Sequence, residues 1–517
     1  MKGLYLNVEG AQERVERLAR TIGAPTSIAT ASHDDLGEVL VDHHPVDWPD
    51  GPVLEDPGTD LFAAASGWFV IRGRLGDLEG FARAFAAAVG KGDEAQVVHE
   101  VSVGEFVILL VIGGKRYIIT DPFGLHGHYF VDDDPFATLA PSPWFIKGER
   151  PQDPVAIPII EARNHLYGNM TLYEGVERLE PGAIITARRA ERYFDYGARG
   201  EALARVPGLM AEGMIPFSTR RKVIPLSGGL DSRLILAAIG ADYGYTFGPH
   251  DSGDRPVARR FAHLLKDYWE FSLLDDTYQE RYRPALAAML DGIVLRPYDE
   301  LLVINRRLHE RWPDASVLLD GYAGDVLQRG TLLTYGGVWG NLAKLLPLIT
   351  THDFDPMTVL RGRNAALTDE QFEVVARIYR EKMDGMDLDD MHKVILFETV
   401  HGKGGRIAVQ GGIMAGQYFT NVRPLYFPSV FRSFFQEDMA DTMNHRTLRA
   451  LWRTVDPGFA DVPTYTGFSP AGNPHLGRAI MLMFKALAKL NVGRAVTYSK
   501  ELGRTTWVTD EAGPSSR

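Results

Sequence analysis

Over roughly the first 200 residues, short apolar runs alternate with clusters of glycine, proline and aspartate, a pattern typical of β-strands joined by tight turns. The runs FVILLVI and RYIIT are separated only by GGK, which predicts a hairpin of two buried strands. Apolar residues at helical spacing stand out in GAQERVERLARTIG and DLEGFARAFAAAVG, and each segment ends at a glycine, as helices often do. We therefore predict a strand-rich amino-terminal domain over residues 1–205.

After residue 205 the pattern changes to long amphipathic helical segments interrupted by short apolar runs. The runs KVIPL, YGYTFG and SVLLDG are expected to be strands. Strands that alternate with helices predict a parallel sheet covered on both faces. A length of 517 residues also exceeds what one hydrophobic core usually supports. We expect an α/β protein whose second domain covers residues 206–507, followed by a flexible tail over 508–517.

Composition narrows the classes of function. A formal net charge of −12 argues against a general nucleic-acid or membrane-surface binder, because such partners need a basic face. The chain has no cysteine, which removes disulfides, thiolate metal sites and cysteine nucleophiles and is most compatible with a cytosolic enzyme. The densest apolar run, FVILLVI, is too short to span a bilayer. We expect a cytoplasmic protein without nucleic-acid or membrane partners.

The segment SGGLDS, residues 227–232, lies between an apolar strand-like run and a helix-like one. In such a turn the backbone N–H groups of the glycines and of the first helical turn can bind an anion. A carboxylate beside a phosphate, here Asp231, makes sense if a cation such as Mg²⁺ lies between them. The alternative interpretation is a tight turn in which Asp231 or Ser232 caps the helix.

The SGGLDS segment resembles the pyrophosphate-binding loop of the N-type ATP pyrophosphatases, specifically the asparagine synthetase and β-lactam synthetase superfamily. In that superfamily the loop binds the ATP pyrophosphate, and a substrate carboxylate attacks the α-phosphate to give an acyl-adenylate. The resemblance implies an adenine-nucleotide-binding PP-loop fold for the second domain. It assigns ATP binding to Leu226, Ser227, Gly228, Gly229, Asp231, Ser232, Thr246, Phe247, Gly248 and Gly321.

Two further segments resemble motifs of the same superfamily. Ser252, Asp254 and Ala258 match an S-x-D/E-x-x-x-A helix that follows the strand contacting adenine. Gly321 and Asp325 match a G-x-x-x-D motif whose aspartate is the second metal ligand. The resemblance therefore implies that Asp231 and Asp325 hold Mg²⁺ against the triphosphate.

Catalytic candidates also come from the resemblance. Tyr322 stands where β-lactam synthetases have a tyrosine that helps to deprotonate the attacking amine and asparagine synthetases have glutamate. A phenol with a pKa of about 10 needs a partner to share its proton, and Glu398 and His401 are the nearest candidates. Tyr465 occupies the place of a lysine that stabilises the superfamily's tetrahedral intermediate, so another donor is required.

Arg406 and Lys403 are the candidates for that missing positive charge. A second departure is Pro428 in NVRPLYFP, where the superfamily usually has an aspartate.

The segments GWFVIRGRLGD, DPFGLHGHYF and TLYEGVERLEPG resemble the superfamily's amino-terminal domain, an Ntn-hydrolase-like αββα sandwich. Glutamine-dependent members begin with Met-Cys, whereas residue 2 here is Lys2 and no thiol exists. The resemblance therefore implies a degenerate glutamine amidotransferase-like domain without its catalytic cysteine. The amine must come from elsewhere. The histidines His126 and His128 are interpreted as loop residues rather than as metal ligands.

Together these features predict an ATP- and Mg²⁺-dependent amide synthetase that releases AMP and pyrophosphate. Its expected substrate is a small-molecule or peptide carboxylate with an internal or separate amine. Ring closure, as in lasso-peptide cyclisation or β-lactam formation, is favoured because it joins groups already held in one molecule. A leader-peptide-binding protein or a protease is a candidate partner. The alternatives are an ammonia-dependent asparagine synthetase and a catalytically degenerate nucleotide-binding scaffold in a biosynthetic complex.

Overall fold

The computed structural model describes residues 1–250, 252–272, 277–333, 354–464 and 468–472, which form a mixed α/β protein. The chain divides into two compact units. The first unit takes Met1–Ala198, Tyr282–Arg311 and Asp355–Thr420, and the second takes Arg199–Arg281, Trp312–Phe354 and Asn421–Arg517. The tail predicted over 508–517 lies outside the described residues.

The first unit contains two antiparallel sheets. Their strands are β1 (Gly3–Leu6), β2 (Ile28–His33), β3 (Gly37–Asp42), β4 (Val53–Asp56), β5 (Leu61–Ile71), β6 (Arg74–Leu75), β7 (Val101–Ile112), β8 (Lys115–Thr120), β9 (Tyr129–Val131), β10 (Leu139–Ala140), β11 (Val176–Arg178), β12 (Ala183–Ile185) and β13 (Ala190–Arg192). One sheet has the order β11-β9-β10-β1-β3-β2, and the other has the order β13-β12-β8-β7-β5-β4 with β6 paired to β5.

The helices of the described residues are short to medium in length. They are α1 (Ala11–Ile22), α2 (Leu78–Ala88), α3 (Glu94–His99), α4 (Ala156–Arg163), α5 (Val206–Gly213), α6 (Asp231–Ile239), α7 (Asp254–Ala258), α8 (Thr277–Leu290), α9 (Glu300–Arg311), α10 (Gly324–Arg329), α11 (Pro356–Arg363), α12 (Asp369–Met383), α13 (Asp390–Leu396), α14 (Val409–Ala415), α15 (Pro428–Phe435), α16 (Met439–Met443), α17 (Arg446–Trp452) and α18 (Pro457–Ala460). Two π-helical turns, Phe397–His401 and Gly404–Ala408, lie between α13 and α14.

The two antiparallel sheets share one hydrophobic core. Alternate residues of β1, such as Leu4 and Leu6, pack with alternate residues of β7, such as Val107, Leu109 and Val111. This is the side-chain periodicity expected of sheets that are buried on one face against each other. The core therefore holds the first unit together through strands that are far apart in the chain.

The predicted hairpin and helices of the first domain are confirmed. Strands β7 and β8 pair antiparallel with Ile112 opposite Lys115, so the two glycines form the turn. Helix α1 ends at Ile22, and the next residue, Gly23, has a positive φ of 69° and donates its amide to the Ala19 carbonyl. Helix α2 ends at Ala88, two residues before the expected Gly90. Helix α2 begins after Asp77, whose side chain accepts a hydrogen bond from the Gly80 amide.

The second unit is built around a sheet of five strands: β16-β15-β14-β17-β18 in spatial order. Their bounds are β14 (Arg221–Pro225), β15 (Tyr243–Phe247), β16 (Asp267–Phe271), β17 (Ala315–Leu319) and β18 (Thr420–Val422). Strand β14 pairs parallel with both β15 and β17, and β15 pairs parallel with β16. The strands predicted from KVIPL, YGYTFG and SVLLDG are thus confirmed, and their carboxyl ends lie along one edge.

The division of the chain differs in part from the predicted boundary at residue 205. The first segment of the first unit ends at Ala198. This unit also includes Tyr282–Arg311 and Asp355–Thr420, which lie within the predicted second domain. Contacts within the first unit hold these segments in place. The Tyr418 hydroxyl donates to the Ile22 carbonyl at 2.7 Å. An amphipathic pattern shows that a helix is half-buried but does not show which sheet it covers.

The described residues include no helix with both the length and the apolar composition that crossing a bilayer would need.

Strands β5 and β7 approach each other closely at Gly67 of β5. Its φ is +88°, and a Cβ there would lie 3.0 Å from the carbonyl carbon of Glu105. Gly73 has a similar φ of +76°, but a Cβ there would meet nothing within 4 Å. Both alanine variants carry the strain of a left-handed backbone, about 1–2 kcal/mol, and only Gly67→Ala adds a collision with backbone atoms.

Gly67→Ala is expected to lower the free energy of unfolding by about 4 kcal/mol or more, against about 1–2 kcal/mol for Gly73→Ala. Urea unfolding followed by tryptophan fluorescence measures both losses. Equal losses would contradict the close packing of β5 on β7.

Candidate functional site

The segment 226–230 connects β14 to α6 at the carboxyl edge of the parallel sheet. Helix α6 begins at Asp231, and the preceding residue, Leu230, forms no side-chain cap. Asp231 and Ser232 therefore lie in the first turn of α6 and not at its N-cap position. The first N–H groups of α6 lack intrahelical acceptors by helix geometry, and the helix dipole makes this end partially positive. An anion placed here would be stabilised by both effects.

Side chains already accept hydrogen bonds from three amides of the loop. The Gly228 amide donates to Asp254 Oδ1 at 2.6 Å, and the Gly229 amide donates to Ser227 Oγ at 3.1 Å. The Ser227 amide has a longer bond, 3.4 Å, to Ser232 Oγ. The Asp254 carboxylate thus occupies the type of position on this loop that an anionic ligand would take. A phosphate bound here would replace these side chains as the acceptor.

A cavity of about 300 Å³ opens beside this loop within the second unit. Its lining comprises Pro225, Leu226, Ser227, Asp231, Ser232, Tyr245, Thr246, Phe247, Asp254, Asp320, Gly321, Tyr322, Ala323 and Asp325. Seven of the ten residues predicted to bind ATP are in this lining, whereas Gly228, Gly229 and Gly248 are not. The structure also brings both predicted metal ligands, Asp231 and Asp325, to the same cavity.

The Asp231 carboxylate is held by α10, the helix that follows β17. A Cβ at Gly324, the first residue of α10, would lie 2.6 Å from the Asp231 Cβ, so only glycine permits this approach. Gln328 Nε2 donates to Asp231 Oδ1 at 2.8 Å, and the buried Trp452 Nε1 donates to Gln328 Oε1 at 3.0 Å. Because an indole N–H can only donate, it orients the amide so that the NH₂ group faces Asp231.

Burial raises the pKa of Asp231 to about 7, with the Arg329 charge lowering it and the Asp325 charge raising it. Burial also raises the pKa values of Asp254 and Asp320, which line the same cavity. Four carboxyl groups thus share one small space. Such a cavity favours the binding of a cation, because a cation offsets the repulsion among the carboxylates.

The donor set fits Mg²⁺ bound together with phosphates. Within the described residues, no group of three or more histidine, cysteine, aspartate or glutamate side chains is arranged to hold a metal ion. Mg²⁺, however, commonly takes only one or two carboxylates from a protein and completes its coordination with water and substrate phosphates. Asp325 Oδ2 accepts from Thr331 Oγ1 at 2.9 Å, which orients this second carboxylate. Asp231 and Asp325 are therefore the residues that would hold Mg²⁺.

The predicted adenine side of the site is shaped by the end of β15. Thr246 Oγ1 donates to the Leu226 carbonyl at 2.6 Å and lies 2.7 Å from the Tyr268 hydroxyl. The Gly248 carbonyl accepts from the Arg255 guanidinium and from Ser272 Oγ, each at 2.7 Å. Hydrogen bonds to side chains of the second unit thus hold the carboxyl end of β15 in place beside the 226–230 loop.

Tyr322 lines the cavity next to a carboxylate that the sequence did not single out. The Tyr322 amide donates to Asp320 Oδ1 at 3.1 Å, and Arg423 Nε lies 3.6 Å from Asp320 Oδ2. Asp320 directly follows β17 and precedes Gly321 of the G-x-x-x-D motif. This position, at the carboxyl end of a predicted strand, could have identified Asp320 as a site residue from the sequence. Gln328 and Trp452 were missed because neither carries a charge and neither belongs to a recognisable motif.

Two of the remaining catalytic candidates, Glu398 and Arg406, belong to the first unit. Glu398 belongs to the first unit, where it is fully buried and pairs with Arg363 Nε at 2.9 Å. Burial raises its pKa, but Arg363 and other nearby cations outweigh this and hold the pKa at about 2. These are properties of a structural ion pair. Arg406 is also buried in the first unit, and Tyr465 lies outside the described residues.

The histidines His126 and His128 make contacts within the first unit. His126 Nε2 lies 2.8 Å from Ser66 Oγ, and His128 Nε2 accepts from the Leu4 amide at 3.0 Å.

In comparisons with known proteins, no family model matches the chain and no curated protein matches it.

Gln328→Leu is expected to weaken binding of magnesium pyrophosphate by about 10–100-fold, because the amide that orients Asp231 is lost. Isothermal titration calorimetry measures the affinity. Gln417→Leu is the matched control, since this buried glutamine donates to the Ile413 carbonyl in the first unit. The control should lose stability but keep its affinity. An unchanged affinity in Gln328→Leu would contradict the orienting role.

The Glu398–Arg363 pair predicts a pH-dependent contribution to stability. Because folding lowers the pKa of Glu398 to about 2, its contribution is present above the unfolded-state pKa of about 4.3 and is lost as pH falls toward 2. Glu398→Gln should therefore cost about 3–5 kcal/mol at pH 7 and clearly less at pH 3. Urea unfolding at both pH values tests this. Glu381→Gln, which removes an exposed partner of Arg377, should have little effect at either pH.

Proposed function

We propose that the second unit binds ATP with Mg²⁺ and that the protein is an AMP- and pyrophosphate-forming amide synthetase. The observation that carries this proposal is one cavity lined by residues at both ends of the 226–232 loop, by Asp231 and Asp325, and by Tyr322. These groups come from the ends of different parallel strands, the usual place for ligands in open α/β sheets. The proposal includes the finer fold assignment, an Ntn-hydrolase-like first domain and a PP-loop second domain.

In this proposal the loop and the amino end of α6 bind the pyrophosphate part of ATP. The amides of Gly228 and Gly229 exchange their present acceptors, Asp254 and Ser227, for phosphate oxygens. Asp231 and Asp325 would hold Mg²⁺, which neutralises charge on the leaving pyrophosphate. Gln328 keeps the Asp231 carboxylate turned in one direction during this exchange.

The chemistry proceeds in two displacements. A substrate carboxylate oxygen bonds to the α-phosphorus of ATP and pyrophosphate leaves, giving an acyl-adenylate. An amine nitrogen then bonds to the acyl carbon, AMP leaves, and the nitrogen must lose a proton. In this proposal Tyr322 accepts this proton at its hydroxyl oxygen while its own phenol proton passes to a carboxylate. Asp320, which lines the same cavity and accepts a hydrogen bond from the Tyr322 backbone amide, is the candidate acceptor. Asp320 is thus the proposed proton-sharing partner of Tyr322, the role for which Glu398 and His401 are the sequence-based candidates.

The substrate class remains the one predicted from the motifs: a carboxylate of a small molecule or peptide that closes on its own amine to a lactam or macrolactam. Lasso-peptide cyclisation and β-lactam formation are the two reactions of this type that the Tyr322 resemblance supports. An ammonia-dependent asparagine synthetase is less well supported, because tyrosine replaces glutamate at that position. The proposal also includes a cytoplasmic location and a leader-peptide-binding or protease partner for the lasso reaction.

One observation favours a second function, a nucleotide-binding scaffold without catalysis. Pro428, where the superfamily usually has an aspartate, agrees with this alternative. The two functions differ in whether bound ATP reacts.

ATP–pyrophosphate exchange, measured with radiolabelled pyrophosphate and a panel of carboxylic acids and peptides, tests the proposal. Exchange is expected with at least one acid, and Asp231→Asn or Asp325→Asn should lower it by at least about 100-fold. Asp242→Asn is the matched control in the same unit, because this aspartate pairs with Arg221 and Lys266 at the opposite ends of the strands. The control should retain exchange within about twofold.

Further outcomes of this experiment separate the alternatives. Tyr322→Phe should keep exchange but slow amide formation by about 100-fold or more. Tight binding of MgATP without exchange for any acid would support the scaffold. Absence of MgATP binding by calorimetry would overturn both functions.

A further inference from the structure

Two arginines and a histidine are buried together in the first unit. Arg178 ends strand β11, Arg406 lies in the π-helical turn Gly404–Ala408, and His401 ends the π-helical turn before it. Each of the three side chains is only 1% exposed. Guanidinium groups are almost never fully buried unless they have charged partners, so their surroundings require an explanation.

Among the described residues, the hydrogen-bonding neighbours of the two guanidiniums are neutral: backbone carbonyl groups and, for Arg406, the Tyr129 hydroxyl. Arg406 donates through one terminal nitrogen to the carbonyls of Gly168 and Met170, at 2.6 and 2.8 Å. Arg178 donates through one terminal nitrogen to the Gly124 carbonyl. Arg178 Nη1, Arg406 Nε and Nη1, and both ring nitrogens of His401 are buried and have no hydrogen-bond partner in the described structure.

Backbone contacts show that the three residues converge on the segment 168–170. The Gly168 amide donates to the His401 carbonyl at 2.8 Å, and the Arg178 amide donates to the Asn169 carbonyl at 3.0 Å. A Cβ at Gly405, beside Arg406, would lie 3.5 Å from Arg178 Nη1. The unpartnered nitrogens therefore belong to one cluster.

Two acids interact with this cluster. Asp121 interacts electrostatically with Arg178, but its oxygens accept hydrogen bonds from the backbone amides of Phe123, Leu125 and His126, and burial raises its pKa. Glu180 interacts electrostatically with His401, but its carboxylate is already paired with Lys382, and Arg192 is 3.9 Å away. Burial and, to a lesser extent, the charge of Arg178 lower the pKa of Arg406 to about 10. Among the described residues, neither acid is therefore hydrogen-bonded to Arg178 or Arg406: Asp121 is bonded to backbone amides, and Glu180 is shared by Lys382 and Arg192.

We propose that Arg178, Arg406 and His401 form a buried binding site for a small oxyanion such as phosphate or sulfate. The unpartnered guanidinium nitrogens are all donors, which matches an acceptor-only ligand, and the planar guanidinium matches tetrahedral oxyanions. Neutral His401 adds one further N–H donor. Exposure of only 1% at each residue favours a small free ion over the phosphate group of a larger molecule. This site belongs to the first unit and does not depend on the proposed nucleotide chemistry.

The ion is expected to copurify with the protein, because it can leave only when the surrounding segments open. The test uses the full chain, exchanged by gel filtration into a buffer free of phosphate and sulfate and then denatured in guanidinium chloride. Ion chromatography should find about one equivalent of phosphate or sulfate per chain, and the identity of the peak distinguishes the two sources. Arg406→Gln should lose it, whereas Arg189→Gln, at an arginine paired with Glu191 on the surface, should retain it.

A second measurement keeps the test decisive if Arg406→Gln does not fold. Hydrogen–deuterium exchange of the wild-type protein, stripped by mild urea and refolded, should slow over residues 165–180 and 397–410 when phosphate is added. Release of no oxyanion together with unchanged exchange in these segments would overturn the proposal. Equal release from wild type and from folded Arg406→Gln would overturn it as well.

Discussion

The approach of Gly324 to Asp231 is the contact on which the candidate site depends. It brings the amino end of α10, which follows β17, against the first residue of α6, which follows β14. A side chain at position 324 would collide with the Asp231 side chain and separate the two helices. With glycine there, the loop after one strand and the acids after its parallel neighbour line a common cavity. The parallel pairing of β14 and β17 places their carboxyl ends side by side. The absence of a Cβ at Gly324 allows α10 to approach Asp231 closely.

The two units bury charge in opposite ways. In the second unit, carboxyl groups gather at an open cavity, where solvent, a cation or a ligand can balance them. In the first unit, Glu398 pairs with Arg363 inside the protein, while Arg178 and Arg406 donate hydrogen bonds to neutral carbonyls. Unbalanced charge of either sign is costly to bury, so it marks positions where a ligand can contribute to the free energy of folding.

Local sequence pattern predicted the parts of the structure that local interactions determine. The hairpin with its glycine turn, the three parallel strands and the loop leading into α6 follow from runs of a few residues, and all are present. The hydrogen bond between Trp452 and Gln328 joins residues 124 positions apart, so no periodicity reveals it. Glu398 was chosen for its nearness in sequence, yet packing buries it against Arg363 instead.

The first unit is assembled from three separate segments of the chain, so it cannot be completed until the last of them has been synthesised. Both antiparallel sheets are complete by Ala198, but the helical segments that belong with them end only at Thr420. At ordinary translation rates, roughly 10–45 s separate these two points on the ribosome. During that interval the apolar faces awaiting Tyr282–Arg311 and Asp355–Thr420 are uncovered, and a chaperone has its best opportunity to bind the nascent chain.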